Sequence, residues 1–300
     1  MLAMRSLEEF LRKVNIQFMK NVKLKDHTTL GIGGSVPYFI KPQSIGGLQD
    51  LKGYLEENEI DWKVIGSGSN LLINDKELGF VVISLESMKG IYAMDEGSII
   101  VDAGVKLSHL CNYSLNEALS GVEFLIGIPG TIGGAVKQNA GAYRKEIKNI
   151  ISKAIVLGEE NNIKSIDKDQ LGFSYRRSKF EGNEIIISAG LKLDKGDRKE
   201  IRAIMEKYQQ DRYQSQPINE RSAGCIFKNP AGNYAGRLIE EVGLKGLQYG
   251  GAVVSEKHAN FIVNRGDATF RDVMNLIEGI REKVYSAFGI YLEMEVEIWS

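Results

Sequence analysis

Apolar positions recur at helical spacing in several separate stretches of the chain. Leu7, Phe10, Leu11 and Val14 form one stripe, and Ser6-Leu-Glu-Glu9 reads as the capping box that starts its helix. Leu48, Leu51 and Leu55 give an inward face to a helix from Ile45 to Asn58. Leu110, Cys111, Leu115, Ala118 and Leu119 place another over Ser108 to Leu119. Short apolar runs predict strands at Trp62–Ile65, Phe80–Ser84, Ser98–Asp102, Ser152–Leu157 and Glu184–Leu193. Asp197 caps a polar helix reaching about Gln210. The last third carries helical patterns over Asn233–Val242 and Thr269–Phe288, with strands at Ala252–Val254, Asn260–Val263 and Tyr291–Trp299. That final segment alternates strictly, with Leu292, Met294, Val296 and Ile298 on one face and Glu293, Glu295 and Glu297 on the other. Strands alternate with helices, so the class is α/β or α+β. The polar stretch Gln209–Arg221, with Pro217, reads as a domain boundary.

Composition narrows the picture. At 300 residues the chain is long enough for two domains with their own cores. Its formal net charge of −1 gives no basic excess for nucleic acid or an anionic membrane. No apolar run is long enough to span a bilayer, and charges throughout Met1–Lys20 read against a secretory signal. Two cysteines, Cys111 and Cys225, point to a reducing compartment rather than a disulfide framework. His27, His109 and His258 stand singly, so no metal-ligand cluster is expected.

The densest chemistry-bearing pattern is glycine. Gly127 to Ala142 holds five glycines in sixteen residues, with Pro129 among them and Asn139-Ala-Gly141 close behind. Such density costs backbone entropy, and a run of open amides can cradle an anion. A phosphorylated cofactor is the first expectation. Gly66-Ser-Gly68 follows a strand, but Leu71 stands where a dinucleotide fingerprint needs its third glycine, and the following residues do not open a helix. No Gly-Lys-Ser/Thr occurs, which excludes the common nucleotide-triphosphatase loop. Gly31-Ile-Gly-Gly34 reads best as an ordinary turn.

These loops carry a resemblance. Gly66-Ser-Gly-Ser-Asn-Leu-Leu72, Gly127-Ile-Pro-Gly-Thr-Ile-Gly-Gly134 and Asn139-Ala-Gly-Ala-Tyr143 resemble the UDP-N-acetylenolpyruvoylglucosamine reductase (UDP-N-acetylmuramate dehydrogenase) family. So do His27–Gly34, Tyr175-Arg176, Ser222–Pro230, Ala235–Gly246, His258–Asn264 and the Leu-Glu-x-Glu-Val pattern at Leu292–Val296. The likeness runs from about Leu24 to Trp299, and the length matches the shorter, type II branch. It implies an α+β fold: a vanillyl-alcohol-oxidase-type FAD-binding region over 1–211, in subdomains of about 1–84 and 85–211, and a substrate-binding domain over 212–300.

The resemblance also implies a chemistry. NADPH reduces a non-covalent FAD, the flavin gives hydride to the enolpyruvyl group of a UDP-sugar, and a proton is added at the neighbouring carbon. The enzyme would be cytoplasmic and serve peptidoglycan precursor synthesis. The flavin contacts implied are Gly66, Ser67, Gly68, Ser69, Asn70, Leu71, Gly127, Ile128, Pro129, Gly130, Thr131, Gly133, Gly134, Asn139, Ala140, Gly141 and Arg212. The substrate contacts are Tyr175, Gln216, Lys228, Asn229 and Arg237. For Arg237 an ordinary place on a helix surface fits the residue equally well.

Three residues are assigned to catalysis. Arg176 suits the charge that develops on the substrate carboxylate, because a guanidinium stays charged and can meet a carboxylate bidentately. A surface ion pair is the common fate of an arginine, and the pattern alone does not choose between Arg176 and Arg177. Cys225 stands where many family members have the serine that donates the proton. A thiol, with an ordinary pKa near ~8.5, gives up its proton more readily than a hydroxyl. Glu295 is the carboxylate that the family pattern selects from an otherwise solvated acidic face. Lys137-Gln138, Arg144 in a place usually held by glycine, and Arg221 in a place usually held by proline depart from the family pattern. Two other readings stay open at this stage: a flavoprotein of the same fold acting on a small alcohol or hydroxy acid, and a non-catalytic flavin or nucleotide carrier.

Overall fold

The computed structural model describes residues 2–95, 97–180 and 183–300, with side chains described from Ser6 onward. The chain forms two compact units. The first comprises residues 1–22, 37–66 and 79–209, and the second 23–36, 67–78 and 210–300. Two short segments from the first quarter of the sequence therefore pack with the C-terminal third.

Among the described residues the first unit has two larger sheets, with two short two-stranded ones beside them. One runs Gln17–Lys23, Ser35–Lys41, Val81–Ser84, Trp62–Ile65 in spatial order, and Val81–Ser84 is parallel to both of its neighbours. The helix Ile45–Glu57 supplies the connection, capped by the Ser44 hydroxyl, which accepts from Gly47 N at 3.1 Å. The other sheet is antiparallel, in the order Ile163–Asp167, Ile151–Leu157, Ile185–Lys192, Ser98–Asp102, Ile91–Ala93. Its central strand, Ile185–Lys192, is buried along nearly its whole length, as a continuous apolar run in mid-sheet should be. The short helix Ile132–Lys137, inside the long glycine run, packs on that strand. Leu7, Leu11, Leu48, Val81, Ile83, Phe124 and Ile187 belong to one apolar core.

The second unit is built on the antiparallel sheet Arg221–Cys225, Phe261–Asn264, Ala252–Val254, Gln248–Tyr249. The helix Phe270–Phe288 lies against this sheet and buries Val273, Leu276, Ile277, Ile280 and Val284. Thr269 and Asp272 close its N-terminal capping box, and Gly289 ends it in the left-handed region. Leu71–Ile73 pairs in parallel with Glu297–Trp299, and Leu30, Ile32 and Leu72 enter the separate core of this unit.

Four elements differ from the sequence expectation. The first helix spans Leu2–Lys13 and runs through Ser6. Leu2 to Arg5 are good helix formers, so no cap is needed at Ser6, whose hydroxyl instead accepts from Tyr54 OH at 2.9 Å. The helix expected over Ser108–Leu119 ends at Asn116, and Leu119–Ser120 pairs with Asp194–Lys195. The helix Arg198–Ser215 passes through the start of the expected boundary and stops two residues before Pro217. The alternating strand Tyr291–Trp299 is reduced to Glu297–Trp299. The segment changes partners midway: Met294 bridges Phe227, whereas Glu297 onward pairs with Leu71–Ile73. Its buried residues are accordingly Leu292, Val296 and Trp299, which breaks the two-residue period.

Candidate active site

The first unit gathers the glycine loops. Gly66 closes the strand Trp62–Ile65, and a Cβ added there would lie 2.6 Å from Thr131 Oγ1. The two glycine loops thus approach each other within this unit, and glycine at position 66 is what permits it. Ile132 N donates to Val105 O and Gly133 N to Ala103 O, both at 2.9 Å, which ties the start of the short helix to the Ala103–Val105 turn. Beyond Gly66, the amide N–H groups of Ser67 and Gly68 find no acceptor among the described residues, although Gly68 O accepts from Thr29 N at 3.2 Å. Gly31–Gly34 is explained by packing: Gly34 N donates to Asn74 O at 2.7 Å.

Asn139, an expected flavin contact, has its side chain inside the first unit. It is wholly buried, and its amide is spent inside the protein. Nδ2 donates to Ser174 O at 2.9 Å and Glu146 Oε2 at 3.1 Å, and Oδ1 accepts from Lys148 N at 3.1 Å. It has no exposed surface with which to touch a ligand.

Arg176 also lies in the first unit. Ser174 and Arg177 exchange backbone hydrogen bonds around a two-residue turn, and Arg176 holds a φ of 56° at its second position. That region is costly for a residue with a side chain. Its Nη1 donates to Gly141 O at 3.1 Å, and its guanidinium stands 5.4 Å from the Tyr175 ring centroid. Arg177 is exposed.

The second unit gathers the others. Gly224, at φ 78°, sits within a bulge between Ser222 and Cys225, and Cys225 re-enters the ladder opposite Phe261. A bulge of this kind re-aims the side chain that follows. Glu295 N donates to Ile226 O at 2.8 Å and Lys228 N to Glu293 O at 2.8 Å. The strand of Cys225 and the segment of Glu295 therefore run side by side. Asn70 Nδ2 donates to the backbone carbonyl of Glu295 at 3.0 Å, joining an expected flavin-loop residue to the main chain of the segment that carries the expected catalytic carboxylate. Lys228 Nζ lies 3.5 Å from Glu293, and Asn229 Oδ1 accepts from Ala235 N at 3.0 Å, where the helix Ala235–Glu241 begins. Arg237, with its side chain 67% exposed, pairs with Glu241 one turn on at 2.7 Å. Gln216 Oε1 is buried with no hydrogen-bond partner among the described residues.

Sequence reasoning missed Asn260. It is buried, its Oδ1 accepts from Phe227 N at 3.0 Å and its Nδ2 donates to Phe227 O at 2.8 Å, clamping the loop after Cys225. Only its place within the His258–Asn264 motif hinted at it. His258 supports Asn260 in turn, with Nδ1 accepting from Asn260 N at 3.3 Å. Burial lowers the pKa of His258, helped by Lys245 and opposed by its backbone hydrogen bond and Glu240. The other thiol, Cys111, is fully buried and its pKa is pushed up to about 12 by burial, with the charge of Glu123 adding to it. Cys225 is half-buried and reachable. Among the described residues no cluster of three or more potential metal ligands occurs, and no helix is long and apolar enough to cross a membrane.

An FAD binding domain family matches residues 36–160. A glucose dehydrogenase structure aligns over 64% of this chain and 44% of its own at a TM-score of 0.53 and 14% identity, a likeness of fold alone. The chain is thus an FAD-binding protein of the vanillyl-alcohol-oxidase type. Residues 216–299 match the family described as UDP-N-acetylenolpyruvoylglucosamine reductase, C-terminal domain. The UDP-N-acetylenolpyruvoylglucosamine reductase of Caldanaerobacter subterraneus subsp. tengcongensis is 43% identical, covering 97% of this chain and 96% of its own. That of Anoxybacillus flavithermus is 42% identical, covering 98% and 99%. The crystal structure of the Thermus caldophilus reductase superposes at a TM-score of 0.81 with 36% identity, covering 95% and 99%. The chain belongs to the UDP-N-acetylenolpyruvoylglucosamine reductase family. The residues present fit its flavin: a Cβ at Gly66 would fill the cradle beside Thr131.

Proposed function

We propose that this chain uses NADPH to reduce the enolpyruvyl group of UDP-N-acetylenolpyruvoylglucosamine, yielding UDP-N-acetylmuramate in the cytoplasm. The observation that carries the reading is that the segment of Glu295 runs beside the residues that follow Cys225 and is tied through Asn70 to the flavin loop, in a chain similar to these reductases along nearly its full length. Gly66–Leu71, Gly127–Thr131, Gly133, Gly134, Ala140, Gly141 and Arg212 would hold the FAD. Tyr175, Gln216, Lys228, Asn229 and Arg237 would hold the UDP-sugar.

Bound FAD supplies the hydride. The protein's own tasks are charge and proton. Negative charge builds on the substrate carboxylate as hydride adds beside it, and the Arg176 guanidinium stabilises that charge more in the transition state than in the ground state. Cys225 Sγ delivers a proton to the neighbouring carbon, and the thiolate left behind is a stable anion compared with an alkoxide. Glu295, on the adjacent segment, orients the thiol or the substrate.

In anaerobic stopped-flow measurements, Cys225→Ala should leave bleaching of the flavin by NADPH intact and slow its reoxidation by the enolpyruvyl substrate by about 10²–10⁴-fold, the usual range for general acid catalysis. Cys225→Ser should retain most of that step. Full-rate reoxidation in Cys225→Ala would remove Cys225 from the proton-donor role.

A further inference from the structure

Arg176 occupies a backbone conformation that an arginine does not adopt for its own sake. Its φ of 56° falls at the second residue of the turn closed by Ser174 and Arg177, and such an outlier persists only where its surroundings over-determine it. The surroundings here are specific. Ser174 O, the first carbonyl of the turn, accepts from Arg177 N at 3.2 Å and also from Asn139 Nδ2 at 2.9 Å. Two residues beyond Asn139, Gly141 O accepts from Arg176 Nη1 at 3.1 Å. The Asn139–Gly141 stretch therefore holds the arginine turn at both its backbone and its side chain.

Asn139 is itself fixed. Its second Nδ2 hydrogen bond goes to Glu146 Oε2, which is also paired with Lys148 Nζ at 2.6 Å, and its Oδ1 accepts from Lys148 N. The side chain of Glu146 further caps the turn of helix Ile147–Ile150, with Asn149 Oδ1 returning the bond to Glu146 N at 2.7 Å. Asn139 thus has both polar atoms of its side chain engaged, no exposed surface, and a left-handed φ of its own at 42°.

We infer that Asn139 is the positioning residue for Arg176: it acts through the Ser174 carbonyl to hold the guanidinium where the substrate carboxylate is met. The inference rests on the reading that Arg176 serves the substrate half-reaction. The part of the family motif assigned to the flavin from sequence then serves the substrate step instead.

The test uses the flavin-loaded enzyme, with NADPH bleaching and anaerobic reoxidation by UDP-N-acetylenolpyruvoylglucosamine measured separately. Asn139→Gly accepts the left-handed φ and removes only the side chain. Asn139→Asp keeps the volume and replaces the amide donor with a carboxylate facing Ser174 O and Glu146. Both should bind FAD, bleach at the wild-type rate and reoxidise about 10–100-fold more slowly, the scale of a misplaced catalytic group. In an Arg176→Ala background the same changes should add no further loss. Hydrogen exchange at the Arg177 amide, which donates to Ser174 O, should quicken about tenfold as the turn loosens.

Wild-type reoxidation in both variants would overturn the inference. So would equal slowing of both half-reactions, full additivity with Arg176→Ala, or loss of FAD, each of which makes Asn139 a scaffold for the cofactor loop. Arg176→Ala with unimpaired reoxidation would instead refute the underlying role of Arg176, a result separable from normal Arg176→Ala slowing with silent Asn139 variants.

Discussion

Arg144 illustrates how one residue carries a cost that its neighbours absorb. Ala142 pairs with Lys145, so Tyr143 and Arg144 form a two-residue hairpin loop, with φ values of 53° and 63°. Both central residues of such a loop lie in the left-handed region, which favours glycine. Arg144 stands where the family pattern has glycine, and the backbone shows the reason for that glycine. Tyr143 compensates by stacking on Tyr208 at 3.7 Å between ring centroids and donating from its hydroxyl to Tyr208 O at 2.9 Å. Relief of the left-handed strain, less the entropy glycine adds to the unfolded chain, leaves an expected gain of about 0.5–1 kcal/mol for Arg144→Gly. Thermal or denaturant unfolding measures it directly, and an unchanged or lowered midpoint would show that the arginine side chain earns its place. Arg176, Cys225 and Glu295 were nameable from the sequence by family likeness alone. Nothing local to the chain separates Arg176 from Arg177, because the difference is a φ angle and a contact with Gly141, thirty-five positions away.

At the scale of elements, long amphipathic helices were the most legible. The stripes behind Ile45–Glu57 and Phe270–Phe288 predict their extents to within a residue or two, since each stripe is set by local spacing and a side-chain cap. Strands such as Gln17–Lys23 and Ile163–Asp167 went unread: their residues are mostly half-buried or exposed, so no apolar alternation marks them. The strand expected over Tyr291–Trp299 failed for a different reason, a change of partner that no periodicity encodes. The loop carrying Cys225 depends on elements too. Asn260 clamps Phe227, and His258 Nδ1 accepts from Asn260 N. Burial keeps His258 neutral, with its pKa lowered from the ordinary value of 6.5. The unfolded chain takes up that proton first as pH falls, so the stability linked to neutral His258 is fully present above about 6.5 and is lost as pH falls toward and through the folded value. Protonation would also remove the acceptor for Asn260 N. The melting temperature should therefore drop from about pH 7.5 to about pH 5, with a shallower drop in His258→Gln. Parallel pH profiles for the two proteins would contradict this.

At the scale of the whole molecule, sequence order and compact units part company. The segments 23–36 and 67–78 belong to the unit of residues 210–300. Leu24 N donates to Gly34 O, Thr29 Oγ1 to Ser222 O and Asn264 Nδ2 to Leu30 O, while Leu71–Ile73 pairs with Glu297–Trp299. The last three of these pairings join positions 193 or more residues apart and leave no local trace, so a contiguous division was all that composition and polarity could suggest. The glycine run, by contrast, has a local reading: its density predicts close backbone approach, and a Cβ added at Gly141 would lie 2.5 Å from Lys145 O. The purified protein should be yellow, NADPH should bleach it in the absence of oxygen, and UDP-N-acetylenolpyruvoylglucosamine should then restore the colour with formation of UDP-N-acetylmuramate. Colour that stays bleached after the enolpyruvyl substrate is added, and returns only with oxygen, would contradict the account.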